Sequence, residues 1–214
     1  MSRIEGVSPK QANPVVRAVY MGARRAVGRM TGQRKLTPDI PVRAHRPSLL
    51  LGYCALEQAV ATKPRVKSQL RTLVELKAAV MLGCEMCQDI GSQQALAAGV
   101  TQAQMLDLHR YRDSAQFDEE QRLVLDLAVG MTSTPVTVSD ALFAELRERF
   151  DDAQLVELVN LIAVENLRSR FNAAFDLRSQ GFNDGSVCAR MESAQLPELG
   201  IVEPLPAAMA GGQR

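Results

Sequence analysis

Apolar residues recur at three- and four-residue spacings along this chain, and the strict alternation typical of half-buried strands is hard to find. Between residues 14 and 30, for example, Val15, Val19, Ala23 and Met30 mark one face of an amphipathic helix whose other positions hold several arginines. The commonest residues are good helix formers, and aromatic residues make up only 4% of the chain. We therefore expect an all-α protein, and 214 residues are enough for one sizeable core.

Glycine, proline and capping residues divide the chain into three parts. Residues 1–46 are predicted to form a basic helix and a connector, residues 47–182 a helical domain, and residues 183–214, which are rich in Pro and Gly, a tail. The helices are predicted from apolar spacing and from capping residues at their starts. They cover approximately residues 14–30, 47–61, 64–82, 84–98, 101–109, 118–133, 141–150 and 153–180.

One short sequence occurs twice. The tetrapeptide LVEL stands at 73–76 and again at 155–158, an offset of 82 residues, and each copy lies near the start of a long predicted helix. This pattern favours a degenerate internal repeat of core helices. The second copy carries Asn166 and Ser169 where the first carries two cysteines.

Charge is distributed unevenly, although the net charge is only +1. Residues 1–47 hold ten Lys and Arg and two acidic residues, whereas the remainder holds fifteen Lys and Arg and twenty-two acidic residues. The N-terminal segment is therefore expected to lie against an acidic surface of its own chain or of a partner subunit.

The small net charge argues against nucleic-acid binding, and no apolar run approaches the ~20 residues of a membrane span. A cytoplasmic protein is expected.

Two cysteines carry the clearest chemical signal. Cys84 and Cys87 follow Gly83, which ends one predicted helix, so they lie at the start of the next. Free backbone N–H groups and the helix dipole favour a thiolate there, and this position alone slightly favours Cys84. Residues at i and i+3 face the same side of a helix, so the two sulfurs are able to form a disulfide. The alternatives are two buried cysteines acting as small apolar residues, or half of a metal site.

A metal site requires further ligands. The remaining candidates, Cys54, Cys188, His45 and His109, occur singly and without ligand spacing. We therefore expect no metal. Cys54 is predicted to lie in the core, Cys188 in a loop as a thiol without a role, and His109 on the surface, with a role as proton acceptor as its alternative.

Glu75 is the candidate proton acceptor. It stands nine residues before the first cysteine of the pair, among apolar residues in the stretch LVELKAAVML. Burial would raise its pKa and make it a usable base. The alternative is a solvated helix face shared with Arg71 and Lys77.

The stretches LRTLVELKAAVMLGCEMCQDIGSQQALAAGVT and QLVELVNLIAVENLRSRFNAAF resemble the carboxymuconolactone decarboxylase-like, or alkylhydroperoxidase D-like, family over about residues 40–182. The resemblance implies an all-α helical bundle with an internal repeat of core helices. It also implies a homo-oligomer, such as a dimer, trimer or hexamer. The redox members of the family are thiol peroxidases or disulfide reductases that work without metal, haem or another cofactor.

The resemblance also implies roles for individual residues. In the redox members the second cysteine attacks peroxide and the first resolves it, which implies Cys87 and Cys84 respectively. Those members place a His four residues after the second cysteine, where this chain has Gly91. They place a Glu twelve residues before the first cysteine, where it has Thr72. Glu75, one turn further along the same face, is the expected substitute.

The predicted function is that of a thiol-dependent hydroperoxidase or disulfide oxidoreductase. Its substrate is a small hydroperoxide or disulfide, and a thiol or lipoyl-type donor restores the dithiol. The missing histidine leaves open a non-enzymatic helical oligomer with vestigial thiols. A lyase acting on a small carboxylated substrate is the other alternative, with Arg168 and Arg170 as candidate carboxylate ligands.

Overall fold

A computed structural model describes residues 2–179 and 181–182, and the regular secondary structure within these residues is entirely helical. The prediction of an all-α protein is thus confirmed. The α-helices of the described residues are α1 (Pro14–Thr31), α2 (Asp39–Arg43), α3 (Pro47–Ala61), α4 (Ser68–Met81), α5 (Glu85–Ala97), α6 (Gln102–Asp107), α7 (Glu119–Thr132), α8 (Asp140–Arg149) and α9 (Asp152–Ala174).

Most helix starts lie where the capping residues predicted them. The side chains of Thr101, Asp118 and Asp151 each accept a backbone N–H from the third residue of their helix, and each helix returns a glutamine side chain to the cap. These reciprocal bonds satisfy two of the N–H groups that a helix start leaves without partners. Ser139 caps α8 through its hydroxyl alone.

Three boundaries differ from the prediction. The connector contains the short helix α2, and α4 begins at Ser68 instead of at Pro64. Helix α9 ends at Ala174, well before the predicted end near residue 180. It stops because Asp176 adopts a left-handed conformation, with φ of 53°, and the Leu177 N–H turns back to the carbonyl of Asn172.

Helix α4 lies at the centre of the fold and packs against α5, α7 and α9. Nine of its fourteen residues are buried. One of them is Lys77, whose ammonium donates to the Leu108 carbonyl (3.1 Å) and lies 4.8 Å from the centre of the Tyr111 ring. Burial, followed by the charge of Arg112, lowers the pKa of Lys77 to about 8.

The N-terminal segment packs onto its own chain through a separate apolar cluster. Val16 and Tyr20 of α1 contact the buried side chains of Ile40, Ala44 and Leu50. Helix α1 also contacts α5. The apolar face predicted for α1 is therefore not the one that packs, because Val15 is 52% and Met30 is 44% exposed. The arginines of α1 are exposed.

Helix α3 has an apolar sequence, but few of its side chains are buried. Of its residues only Leu50 is fully buried, whereas Leu49 is 64% and Leu51 is 45% exposed. Single exposed apolar side chains are common on protein surfaces, but here they share one helix with few charged residues.

None of the helices in the described part of the chain combines the length and apolar composition that crossing a bilayer requires. The predicted tail and Cys188 lie outside the described residues. The internal repeat remains a prediction. Helix α9 is continuous, whereas the corresponding stretch of the first copy is broken at Gly83 into α4 and α5.

Candidate active site

A tight break between α4 and α5 sets the position of the two cysteines. Gly83 has φ of +64°, a conformation that favours glycine because a Cβ there would be strained. The N–H of Cys84 turns back to the carbonyl of Ala79 (3.0 Å), which closes α4. Cys84 then becomes the N-cap of α5, and its sulfur accepts the backbone N–H of Cys87 (3.3 Å).

Cys84 and Cys87 are joined by a disulfide, and their Cα atoms are 5.3 Å apart. They differ in exposure: Cys84 is buried, with 4% of its surface accessible, whereas Cys87 is half-buried. Of the two residues, Cys87 is therefore the more accessible to solvent. The bond lies in the first turn of α5, where the helix dipole stabilises a thiolate after reduction.

Helix α9 presents a row of polar side chains to the sulfurs. The Ser169 hydroxyl lies 2.8 Å from Glu165 Oε1 and 3.6 Å from Cys87 Sγ. The amide nitrogen of Asn172 lies 3.4 Å from both sulfurs, Cys84 Sγ and Cys87 Sγ. Glu165, Ser169 and Asn172 are spaced by four and three residues, so they share one face of the helix.

Glu165 is the carboxyl group of this row. A carboxylate oxygen of Glu165 and the sulfurs of Cys84 and Cys87 all lie within 4.8 Å of one another. Only 4% of the residue is exposed. The pKa of Glu165 is raised to about 7, because the effect of burial, with a smaller contribution from the charge of Glu75, exceeds the opposing effect of Arg168. A carboxyl group with this pKa exchanges protons near neutral pH.

Arg168 holds three carboxylates together beside the sulfurs. Its guanidinium binds both oxygens of Glu57, at 2.8 and 2.6 Å, and its Nη1 reaches Glu75 (2.8 Å) and Glu165 (3.0 Å). We call Arg168, Glu57, Glu75 and Glu165 the charge cluster. Burial opposes charge on Arg168, but its hydrogen bonds with Glu57 and the charges of Glu75 and Glu165 outweigh that effect and raise its pKa.

The structure places Glu75 in the charge cluster. Its side chain is 19% exposed and is bound to Arg168, so it matches neither the apolar pocket nor the solvated face considered from the sequence. Glu165, on another helix, is the carboxyl group whose oxygen is grouped with the two sulfurs.

The arginines proposed as carboxylate ligands have other environments. The guanidinium of Arg168 is engaged by Glu57, Glu75 and Glu165, and its role as a ligand for a carboxylated substrate stays a prediction. Arg170 is exposed on α9.

The remaining candidate residues lie apart from the sulfurs. Cys54 is half-buried and packs against the N-terminal cluster, and burial raises the pKa of its thiol. His109 Nδ1 lies 2.9 Å from the carbonyl of Leu106, and His45 Nε2 lies 2.8 Å from that of Glu5.

Comparison with known proteins identifies the family. Residues 47–129 match the model of the carboxymuconolactone decarboxylase family. This part of the chain belongs to that family. The fold agrees, because the peroxidase-related protein of Ralstonia eutropha JMP134, an alkylhydroperoxidase AhpD core, superposes with a TM-score of 0.71. That match has 18% identity and covers 85% of this chain and 94% of the other.

One further solved structure is similar in fold, and one further protein is similar in sequence. A variant of the debrominase Bmp8 in complex with 2,3,4-tribromopyrrole superposes with a TM-score of 0.72 and 18% identity, over 93% of this chain and 98% of that one. The YnjA protein of Escherichia coli K12 is 39% identical over 112 residues, which make up 52% of this chain. The match spans 62% of YnjA, less than two thirds of its length.

At two positions this chain lacks residues of the redox members that it resembles. Gly91 replaces the histidine, and a Cβ built on Gly91 would lie 3.3 Å from Leu76 Cδ1, so the space beside it is already occupied by leucine. Thr72 replaces the glutamate, and its hydroxyl is bound to carbonyls of its own helix, those of Ser68 and Gln69.

Glu165, Ser169 and Asn172 were not identified as candidate site residues from the sequence. They lie about 80 residues after the cysteines and beyond the stretch that matches the family model. A signal was nevertheless present. The spacing that buries Leu158 and Ile162 continues through Glu165 and Ser169, so polar residues occupy positions where an apolar stripe would continue. Buried polar residues in such a stripe indicate a site.

Proposed function

We propose that this protein is a thiol-dependent peroxidase or disulfide oxidoreductase in which Cys87 attacks and Cys84 resolves. The observation that carries the proposal is the grouping of both sulfurs with the buried carboxyl of Glu165. A pair of cysteines at a helix start supplies the nucleophile and its resolving partner. Family membership and the fold agree with an enzyme of this kind.

The relative exposure of the cysteines supports their assignment. Cys87 is the more accessible of the two, and Cys84 is buried behind it as the N-cap of α5. An attacking thiolate must reach substrate, whereas a resolving thiol needs to reach only its neighbour. The resemblance to redox members of the family also implies this order, although the helix dipole alone slightly favours Cys84 as the thiolate.

Ser169 and Glu165 provide a proton path from the attacking thiol. The Ser169 hydroxyl has one proton, so when it donates to Glu165 its oxygen remains free to accept the S–H of Cys87. Transfer along this path leaves a thiolate on Cys87 and a proton on Glu165. The carboxyl group thus takes the part that a histidine at position 91 would otherwise play.

The chemical steps balance as follows. The Cys87 thiolate attacks the outer oxygen of ROOH, the O–O bond breaks, and the leaving alkoxide takes the proton from Glu165 to give ROH and Cys87 sulfenic acid. The Cys84 thiol then displaces water from that sulfenic acid, which forms the disulfide. An external dithiol restores both thiols by exchange and is itself oxidised to a disulfide.

The test is peroxide consumption with a dithiol reductant by the native chain, Cys87→Ser and Cys84→Ser. We expect turnover by the native chain and none by Cys87→Ser. In the absence of reductant, reduced Cys84→Ser should consume one equivalent of peroxide and end as sulfenic acid. Cys54→Ser is the matched control and should retain full activity, because Cys54 packs elsewhere. Equal activity in the native chain and Cys87→Ser would refute the assignment.

The substrate panel should distinguish the alternatives. Small alkyl hydroperoxides and a disulfide test the two redox reactions, and 2,3,4-tribromopyrrole tests the reaction suggested by the debrominase Bmp8. A non-enzymatic oligomer predicts instead that both reduced thiols resist alkylation in the folded protein. Activity on a small carboxylated substrate that survives loss of both cysteines would favour a lyase.

A further inference from the structure

We propose that the reduced protein binds one zinc-like divalent cation between Cys84, Cys87 and Glu165. The sequence predicted no metal site, because the cysteine pair had no further ligand nearby in the chain. The fold supplies the missing ligand by packing α9 against the start of α5. This inference does not depend on peroxide turnover, because it concerns binding by the reduced thiols alone.

The distances suit a tetrahedral ion. The two sulfurs and one carboxylate oxygen lie within 4.8 Å of one another. Zn–S and Zn–O bond lengths place the ligand atoms of a tetrahedral site about 3.5–3.8 Å apart. Once reduction separates the sulfurs, small rotations of the three side chains are sufficient to reach that spacing.

The charges nearby also favour a cation. Arg168 binds all three carboxylates of the charge cluster, while Arg43 and Arg71 act on Glu57 and Glu75 only through longer-range charge interactions. Reduction adds two sulfurs that carry negative charge when they ionise. Uncompensated charge in a poorly solvated site is costly, and the cluster relieves it either by holding protons or by accepting a divalent cation.

Asn172 provides an independent sign that a ligand is missing. The residue is only 2% exposed, and its Oδ1 is buried without a hydrogen-bond partner among the described residues. Its Nδ2 faces both sulfurs at 3.4 Å. A half-turn of the amide brings Oδ1 to that position, where it can complete the coordination of a cation bound to the sulfurs.

Binding involves no change in oxidation state. The cation replaces the protons of Cys84 and Cys87, and that of Glu165 when the carboxyl is protonated, and these protons pass to solvent. The sulfur lone pairs then bond to the metal and are no longer available to attack an oxidant. A bound cation therefore keeps the pair reduced and blocks disulfide formation.

The experiment uses the full chain with Cys54→Ser and Cys188→Ser, so that the pair supplies all thiols. The protein is reduced, freed of reductant without oxygen, and titrated with Co²⁺, whose absorption reports tetrahedral thiolate coordination, and then with Zn²⁺ in competition. We expect one ion per chain in the reduced protein and none in the disulfide form. Bound Zn²⁺ should slow oxidation of the pair by peroxide.

The variants isolate the carboxylate. Glu165→Gln should weaken binding at least about tenfold, the lower end of the cost of losing even an outer-shell partner of a metal site. Glu148→Gln, the same change on an exposed part of α8, should leave affinity unchanged. Equal affinity in Glu165→Gln and the parent would overturn the proposal, since the dithiol alone would then be an adventitious ligand.

A second measurement does not depend on whether Glu165→Gln folds, because it is made on the parent protein. X-ray absorption of the zinc-loaded parent protein should show two sulfur ligands and the rest oxygen or nitrogen. Four sulfurs, or half an ion per chain, would mean that two chains share the metal through their cysteines. That result would also overturn the proposal.

Discussion

Glu165 is the residue on which the chemistry of this site depends. Its carboxyl is buried beside two sulfurs, yet Arg168 lies 3.0 Å away and limits the rise of its pKa. Burial favours the protonated carboxyl, and the charge of Arg168 opposes that effect. As a result, the group changes protonation near pH 7, where a thiol needs a base.

Glu165→Gln should remove the base and leave the packing intact, because glutamine has nearly the same shape. We expect the second-order rate constant for peroxide reduction to fall by about 10²-fold, at the low end of the contribution that general acid–base catalysis makes. In the native chain, alkylation of Cys87 should rise as Glu165 deprotonates around pH 7, and that rise should disappear in the variant. Stopped-flow alkylation from pH 5 to 9 measures both profiles. An identical profile in the variant would show that another group activates the thiol.

Lys77 should give the folded protein a distinctive response to alkaline pH. Burial lowers its pKa from 10.5 to about 8, so the unfolded chain binds a proton that the folded chain lacks between these values. The free energy of unfolding should therefore rise between about pH 8 and 10.5, by an amount on the order of 3 kcal/mol. Denaturant titrations of the native chain and Lys77→Met provide the test. If the free energy of unfolding rises equally with pH in both chains, Lys77 is not the group responsible for the rise.

At the level of elements, the site depends on how two helices start and stop. Helix α4 must end abruptly so that Cys84 can be the N-cap of α5, and α9 must run past this point without a break. Gly83 allows the first condition, and the unbroken helix Asp152–Ala174 meets the second. The cysteines and Glu165 meet only because both conditions hold.

Gly83→Ala should disturb this arrangement although open space surrounds the glycine. Its φ of +64° costs a residue with a Cβ roughly 1–2 kcal/mol. We expect a loss of stability of that size, together with slower peroxide turnover, because relaxing the strain moves the start of α5. Gly22→Ala, at a solvent-facing position inside α1, is the matched control and should be neutral or stabilising. Thermal melts and peroxide assays of both variants make the comparison.

The elements were largely predictable from sequence, and the site was predictable only in part. Capping residues and apolar spacing located most helices because these signals are local. The position of Cys84 and Cys87 at a helix start followed from Gly83 for the same reason. The pairing of Glu165 with the sulfurs depends on how α9 packs against α5, and no local pattern encodes that contact. For this reason Glu75, nearer in sequence, was preferred.

For the molecule as a whole, the unusual feature is its poorly covered apolar helix α3. The homo-oligomer remains a prediction, and the exposed side of α3 that carries Leu49 is where a second copy is expected to pack. Leu49→Glu should shift the protein to a smaller species, measured by light scattering after size exclusion. Val136→Glu, an equally exposed apolar position elsewhere, is the control. An unchanged mass for Leu49→Glu would place the interface on another surface.

Helix α3 also carries Glu57, which binds Arg168 through both carboxylate oxygens. A chain that docks on α3 would withdraw solvent from this ion pair and tighten it, and Arg168 is the group that sets the proton affinity of Glu165. Self-association and thiol reactivity would then be linked. Specific activity is expected to vary with protein concentration, so dilution, which ordinarily leaves an enzyme's turnover number unchanged, would alter it here.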